Sequence, residues 1–196
     1  MDSPQNNKKD FWDERYKSNQ TGWDIKQVSP PLKDYIDRLT DTKLHILIPG
    51  CGNAYEAEYL LNKGFNNVTL IDIAPTLINA LKEKFAGKPI RILNEDFFEH
   101  KGKYDLILEQ TFFCAIDPSL RNRYVDTCFN LLKDRGKIAG LLFNIVFEKE
   151  GPPYGGTKEE YIALFKAKFM FNKFDKCLIS IAPRRDNELF IELEKK

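Results

Sequence analysis

The sequence predicts a doubly wound α/β domain whose mostly parallel, seven-stranded sheet is completed by a C-terminal antiparallel hairpin. Three observations carry that prediction. Short apolar runs suited to strands buried on both faces alternate with segments whose apolar residues recur at helical spacing. The alternation continues from Leu44 to Val146 without an internal repeat or a low-complexity linker, so residues 1–196 read as a single domain. Beyond Lys168 two strand-like runs follow each other across PRRDN, the pattern of a hairpin rather than of a helical crossover.

Each element has its own signal. Asp10 to Ser18 carries Phe11, Trp12 and Tyr16 and reads as a short helix, followed by a polar loop holding Gly22 and Trp23. Ser29 before Pro30 and Pro31 is a cap-then-proline start, and Leu32, Tyr35, Ile36 and Leu39 mark an amphipathic helix that stops at Thr40 and Asp41. The period then changes. Leu44 to Ile48 is a nearly continuous apolar run halted by Pro49, Gly50, Cys51 and Gly52, a first strand and its turn. A helix opening at Asn53 or Ala54 runs through Leu61 to a Lys63-Gly64 cap, and Val68 to Ile73 is the second strand. Pro75 to Phe85 places Leu77, Ile78, Leu81 and Phe85 on one helical face. Ile90 to Leu93 and Tyr104 to Leu108 are the third and fourth strands, Pro118 to Leu132 a long helix, and Lys137 to Val146 the fifth strand. After a helix at Lys158 to Lys168, Phe174 to Ile181 and Leu189 to Leu193 form the hairpin.

Composition limits the possible partners. With 42% hydrophobic and 13% aromatic residues the chain has the material for a core, which argues against disorder. Thirty basic against 29 acidic side chains leave a formal charge of +1, so no summed field draws in nucleic acid or an anionic membrane. The four cysteines form no C-x-x-C pair and have no histidine at metal spacing, which argues against a zinc site and for a reducing compartment. MDSPQNNKKD lacks the apolar stretch of a signal peptide, and no run approaches the roughly 18 apolar residues of a membrane span. A cytoplasmic monomer acting on a small molecule is expected, with no metal.

In an open α/β sheet the ligand lies outside the carboxyl ends of the strands, where strand order reverses. The first such loop reads ILIPGCGNAYEA, and Gly50 and Gly52 would let the backbone approach a ligand without a Cβ in the way. Asp72 closes the second strand 20 residues after Gly52 and is placed to accept hydrogen bonds from both ribose hydroxyls of an adenosine. Asp96, after the third strand, is placed to reach the adenine, with Phe97 beside the ring. The competing reading is a tight turn with Asp72 as a solvated cap. A dinucleotide would need a third glycine where Tyr55 stands, whereas S-adenosylmethionine has no phosphate and needs no such close approach, so the methyl donor is favoured.

At these residues the chain resembles the class I S-adenosylmethionine-dependent methyltransferases, more narrowly the thiopurine S-methyltransferase family, with its nearest likeness among plant-type thiol and halide methyltransferases. The matching stretches are FWDERYKSNQTGWDIKQVSPPL, IPGCGNAYEA, LIDIAP, EDFF, YDLILEQTFFCAIDPSLRNRY and GPPY, spanning Phe11 to about Tyr154. The resemblance implies a Rossmann-like fold in which residues 1–28 close over donor and acceptor, with Trp12, Tyr16 and Trp23 lining the site. It also implies that Gly50, Asp72, Asp96, Phe97, Glu109 and Gln110 contact the donor. Tyr16 stands where the plant-type proteins commonly have tryptophan, and Gln110 where the thiol and halide enzymes tend to have tyrosine.

Physical chemistry reads the same residues independently. Rings at Trp12, Tyr16 and Trp23 suit a sulfonium cation, which gains about 0.5–2 kcal/mol over an aromatic face; simple core packing is the alternative. Gln110, Phe112 and Phe113 follow the fourth strand, where a transferable methyl would sit, and Tyr154 of GPPY, ahead of two glycines, would present a ring or hydroxyl to the acceptor. Cys114 reads as a small buried hydrophobe, and Cys51 has no histidine nearby in sequence to activate it. Methyl transfer from a sulfonium annihilates charge and demands no strong acid or base, so no catalytic residue is assigned. The expected acceptor is a thiol, such as a thiopurine or sulfide, or a halide. An NAD-dependent oxidoreductase and a non-catalytic adenosine-binding module are the rival readings.

Overall fold

A computed structural model describes residues 4–196; the first three residues of the expected 1–28 lid lie outside the described residues. Helix α1 (Pro4–Lys17) and helix α2 (Pro30–Asp37) precede the alternating core. There β1 (Ile46–Pro49), α3 (Tyr55–Asn62), β2 (Val68–Asp72), α4 (Pro75–Lys84), β3 (Ile90–Asn94), β4 (Tyr104–Gln110), α5 (Arg121–Leu131) and β5 (Leu132–Phe143) follow in turn. Helix α6 (Lys158–Phe165) leads into β6 (Phe169–Lys176) and β7 (Glu188–Lys195). Prolines open α2 and α4, where the missing N–H costs nothing, and Thr157 with Glu160 forms a reciprocal cap on α6.

The seven strands run in the order β3-β2-β1-β4-β5-β7-β6. Strands β1 to β5 are parallel, whereas β7 is antiparallel to both β5 and β6. Alternate residues of β1 serve opposite faces: Ile46 and Ile48 join the core under α2, α3 and α4, and Leu47 joins the core under α5 and α6. Both faces are therefore apolar, which is why the strands read as uninterrupted runs. From β1 the chain builds outward to β3 and then returns to β4 on the other side. That reversal opens a crevice at the carboxyl ends of β1 and β4.

Helix α1 begins at Pro4, ahead of the expected Asp10, and two strands depart from the sequence expectation. Strand β5 starts at Leu132, directly after α5, and stops at Phe143. Leu132 pairs with Tyr104 and Lys137 with Leu106, so residues 133–136 bulge out of the ladder. Strand β6 begins at Phe169, not Phe174, because it pairs with β7 from Phe169 opposite Lys195 to Lys176 opposite Leu189, the register shifting once at Asn172. The apolar Leu178 and Ile179 lie past its end, 82% and 50% exposed. A longer connection with a 3-10 turn at Ala182–Arg184 replaces the tight turn of the expected hairpin.

Candidate active site at the reversal of strand order

The loop after β1 turns on Gly50 and Gly52, at φ +54° and +50°. A Cβ on Gly50 would collide with the Phe112 ring from the far side of the crevice, so packing as well as φ requires glycine. Above Gly52 the space is open: the nearest atom to a Cβ would be the Tyr16 hydroxyl at 3.7 Å. This cradle, which a side chain would fill, suits close backbone approach by a nucleoside.

Asp72 ends β2 beside that loop. Its Oδ1 accepts from the Ala74 N–H at 3.0 Å, and burial, only partly offset by the N–H groups of Ala74, Gly52 and Ile73, pushes its pKa up to about 6. Asp96 uses one oxygen to cap the short turn Phe97–Glu99, accepting from Phe98 N–H at 2.9 Å. Phe97 corrects an expectation: it is 3% exposed, with its ring centroid 5.2 Å from that of Phe112 and 5.6 Å from that of Tyr124. The ring is part of the core behind the site rather than a face open to adenine.

Glu109 and Gln110 separate sharply. Glu109 is 0% exposed, and its Oε1 accepts from the Phe112 and Phe113 N–H groups, both at 2.8 Å, while Oε2 accepts from the Tyr124 hydroxyl at 2.8 Å. Desolvation raises its pKa to about 7. Three donors of its own fold occupy its two oxygens, so it supports the turn after β4. Gln110 is half-buried, and its Oε1 is buried with no hydrogen-bond partner in the protein, which leaves it free for a ligand.

The acceptor side divides in the same way. Phe113 is 1% exposed, packed on Tyr124 and Tyr161 with the Arg121 guanidinium 4.9 Å from its ring centre, so it is a core residue and not a lining one. Phe112 stays half-buried at the crevice. Tyr154, also half-buried, donates its backbone N–H to Cys114 O at 2.7 Å and lines a groove with Pro118, Arg121, Val146 and Phe147. Burial pushes the thiols of Cys51 and Cys114 well up, which removes both as nucleophiles. Among the described residues no group of three or more His, Cys, Asp and Glu side chains is placed to hold a metal ion.

Over the glycine loop lie the three expected aromatics. The Trp23 ring meets Trp12 and Tyr16 edge-on at 5.4 and 5.8 Å, and burial together with the Asp72 charge drives the Tyr16 hydroxyl pKa upward. Three ties invisible in the sequence hold this segment down. Asp13 accepts from Thr76 N–H at 2.7 Å, at the start of α4. Asp24 accepts from Asn53 Nδ2 at 2.8 Å and from the Tyr55 hydroxyl at 3.3 Å, and Arg184 donates to Trp23 O at 2.9 Å.

Strand order, the paired glycines and the acid closing β2 define the S-adenosylmethionine-dependent methyltransferase class, and solved structures share the fold. A Burkholderia thailandensis 1,6-didemethyltoxoflavin-N1-methyltransferase, solved with S-adenosylhomocysteine, is 18% identical with a TM-score of 0.76, covering 100% of this chain and 92% of that one. A TehB-like methyltransferase from Corynebacterium glutamicum is 17% identical with a TM-score of 0.69, covering 96% and 98%. The thiopurine S-methyltransferase family matches over residues 7–188, and the chain belongs to that family. A probable thiol methyltransferase 2 of Arabidopsis thaliana is 31% identical over 76% of this chain and 69% of its own length. A thiopurine S-methyltransferase of Methylococcus capsulatus is 26% identical over 80% of each. The protein is an S-adenosylmethionine-dependent methyltransferase with a small-molecule acceptor.

Proposed function

We propose that this enzyme methylates the sulfur of a small thiol that ionises readily, in a reducing cytoplasm. The observation that carries the reading is how the nearest candidate bases are engaged: Glu109 is bonded to its own turn, Glu160, which lines the groove with Tyr154, accepts from the Thr157 N–H in the cap of α6, and the Cys51 and Cys114 thiols are held neutral. An acceptor that arrives as a soft anion needs no proton removed. Ordinary thiols are only about a few per cent ionised at neutral pH, which favours those with a lowered pKa. Relatives named for thiols and thiopurines support sulfur as the nucleophile, and four free, buried cysteines support the reducing compartment.

When bound, the donor supplies a methyl group on a positively charged sulfur, and the protein supplies position and dryness. In this reading Gly52 and Asp72 hold the nucleoside, the Gln110 amide oxygen meets a polar group of donor or acceptor, and Trp12, Tyr16 and Trp23 close the crevice. Rings at that position favour a sulfonium and exclude water from the soft anion. Fixing nucleophile and methyl in line contributes up to about 7–11 kcal/mol at the ideal limit. The test is a labelled-methyl assay across aliphatic thiols, aromatic thiols, thiopurines, sulfide and halides between pH 6 and 9. Turnover should rise with the fraction of thiolate. A preference for halide over every thiol at equal concentration would overturn sulfur as the acceptor.

A further inference from the structure

We propose that Glu109 is a positioning residue for the acceptor, its buried carboxylate fixing the turn after β4 from which both walls of the acceptor approach are set. The inference rests on methyl transfer to a small molecule as described above. After Gln110 the backbone reverses at Thr111, which stands at φ +57°, a left-handed conformation that β-branched residues rarely adopt. Such a turn persists only when its surroundings over-determine it. Here the Glu109 carboxylate draws in the next two free N–H groups, those of Phe112 and Phe113, while Tyr124 on α5 holds the second oxygen. Strand β5 clamps the same point from the other side, because a Cβ on Gly140 would collide with the Glu109 carbonyl.

The turn reaches two places at once. Its Phe112 ring packs against Gly50 across the crevice and sets the gap between the loops after β1 and β4. Its Cys114 carbonyl receives the Tyr154 N–H and so places the segment that closes the groove beside Arg121. All three groups facing the Glu109 oxygens are donors, which matches an acceptor-only carboxylate. A glutamine would turn an N–H toward the Tyr124 hydroxyl.

The experiment compares wild type, Glu109→Gln and Tyr124→Phe by amide hydrogen exchange, by calorimetry with S-adenosylmethionine, and by kinetics with the best thiol from the acceptor screen. Glu109→Gln should speed exchange at Phe112 and Phe113 about tenfold and cut kcat/KM for the thiol about tenfold, with donor Kd within about twofold, the scale of one weakened charged hydrogen bond. Tyr124→Phe should act in the same direction with a smaller effect and supplies the answer where Glu109→Gln does not fold. Unchanged exchange and unchanged kcat/KM would overturn the proposal. So would a uniform rise in exchange along the chain with donor and acceptor binding weakened equally, since Glu109 would then only stabilise the core. A wild type that transfers no methyl to any acceptor refutes the proposed reaction, and unchanged exchange at the two amides then separately refutes the role of Glu109 in the turn.

Discussion

Gly50 and Phe112 touch across the reversal of strand order, one from the loop after β1 and one from the turn after β4, and the contact leaves no room for a methyl group. Gly50→Ala adds a Cβ both at a positive φ and into that ring. Destabilisation of about 2–4 kcal/mol is expected from strain and overpacking together, with loss of donor binding. Denaturant melts and calorimetry check it against Gly22→Ala, where a Cβ meets nothing within 4 Å; equal effects at the two positions would refute the contact.

The buried Asp72 carboxyl links stability to pH. Its folded pKa of about 6 lies above the ordinary 3.8, so the native state holds the proton more tightly than the unfolded chain. Its contribution to stability is present below about pH 4 and is lost as pH rises through 6. Asp72→Asn should remove that loss, gaining on the order of 2–3 kcal/mol relative to wild type between pH 4 and pH 8. The same variant should weaken S-adenosylmethionine binding by about 1.5–3 kcal/mol. Parallel melts across the pH range, with calorimetry at pH 7.5, measure both; parallel stability curves or an unchanged Kd would each contradict the assigned role.

Asp24 and Asn53 couple the aromatic segment to the glycine loop through one hydrogen bond of 2.8 Å. Asp24→Ala and Asn53→Ala should each speed donor release, and the double variant should be less impaired than the sum by about 0.5–1.5 kcal/mol. Stopped-flow release of S-adenosylmethionine provides the cycle, and strict additivity would mean the pair does not communicate.

Tyr154 is held by its backbone to Cys114, so removing its side chain leaves the segment in place. Tyr154→Ala should raise the acceptor KM about tenfold while donor affinity stays unchanged. Steady-state kinetics with varied thiol decide it; identical constants for variant and wild type would move the acceptor away from this groove.

How much of this is legible beforehand depends on what each residue answers to. Strands β1 and β2 are buried on both faces, so they are apolar but for Thr69 and the closing Asp72 and show themselves in sequence. At the sheet edge β6 buries only Phe169 and Phe174, and the more apolar Cys177-Leu178-Ile179 run outbids it in sequence although only the pairing with β7 sets its limits. Gly50, Gly52 and Asp72 can be singled out in sequence because the reversal of a βα fold puts ligands at those strand ends. The resemblance pairs Glu109 with Gln110, yet neighbours on a strand face opposite ways: Glu109 shares its side with Ile107 and the core under α5, whereas Leu108, on the side of Gln110, belongs to the core under α3 and α4. That parity was the available signal. No local pattern reports Asp13, Asp24 or Arg184, whose partners lie 63, 29 and 161 residues away.

Strand β7 follows β6 in the chain but lies between β5 and β6 in the sheet, and this governs when the protein is safe during synthesis. A nascent chain that has emerged through β6 contains all of β1 to β5, but without β7 the outer edge of β5 has no partner and β6 has no neighbour. Neither gap closes until residues 188–195 leave the ribosome and insert between them, antiparallel to both. Stalled or prematurely released chains therefore carry a sticky β5 edge, which makes them clients for chaperones or seeds for aggregation while the glycine loop is already made.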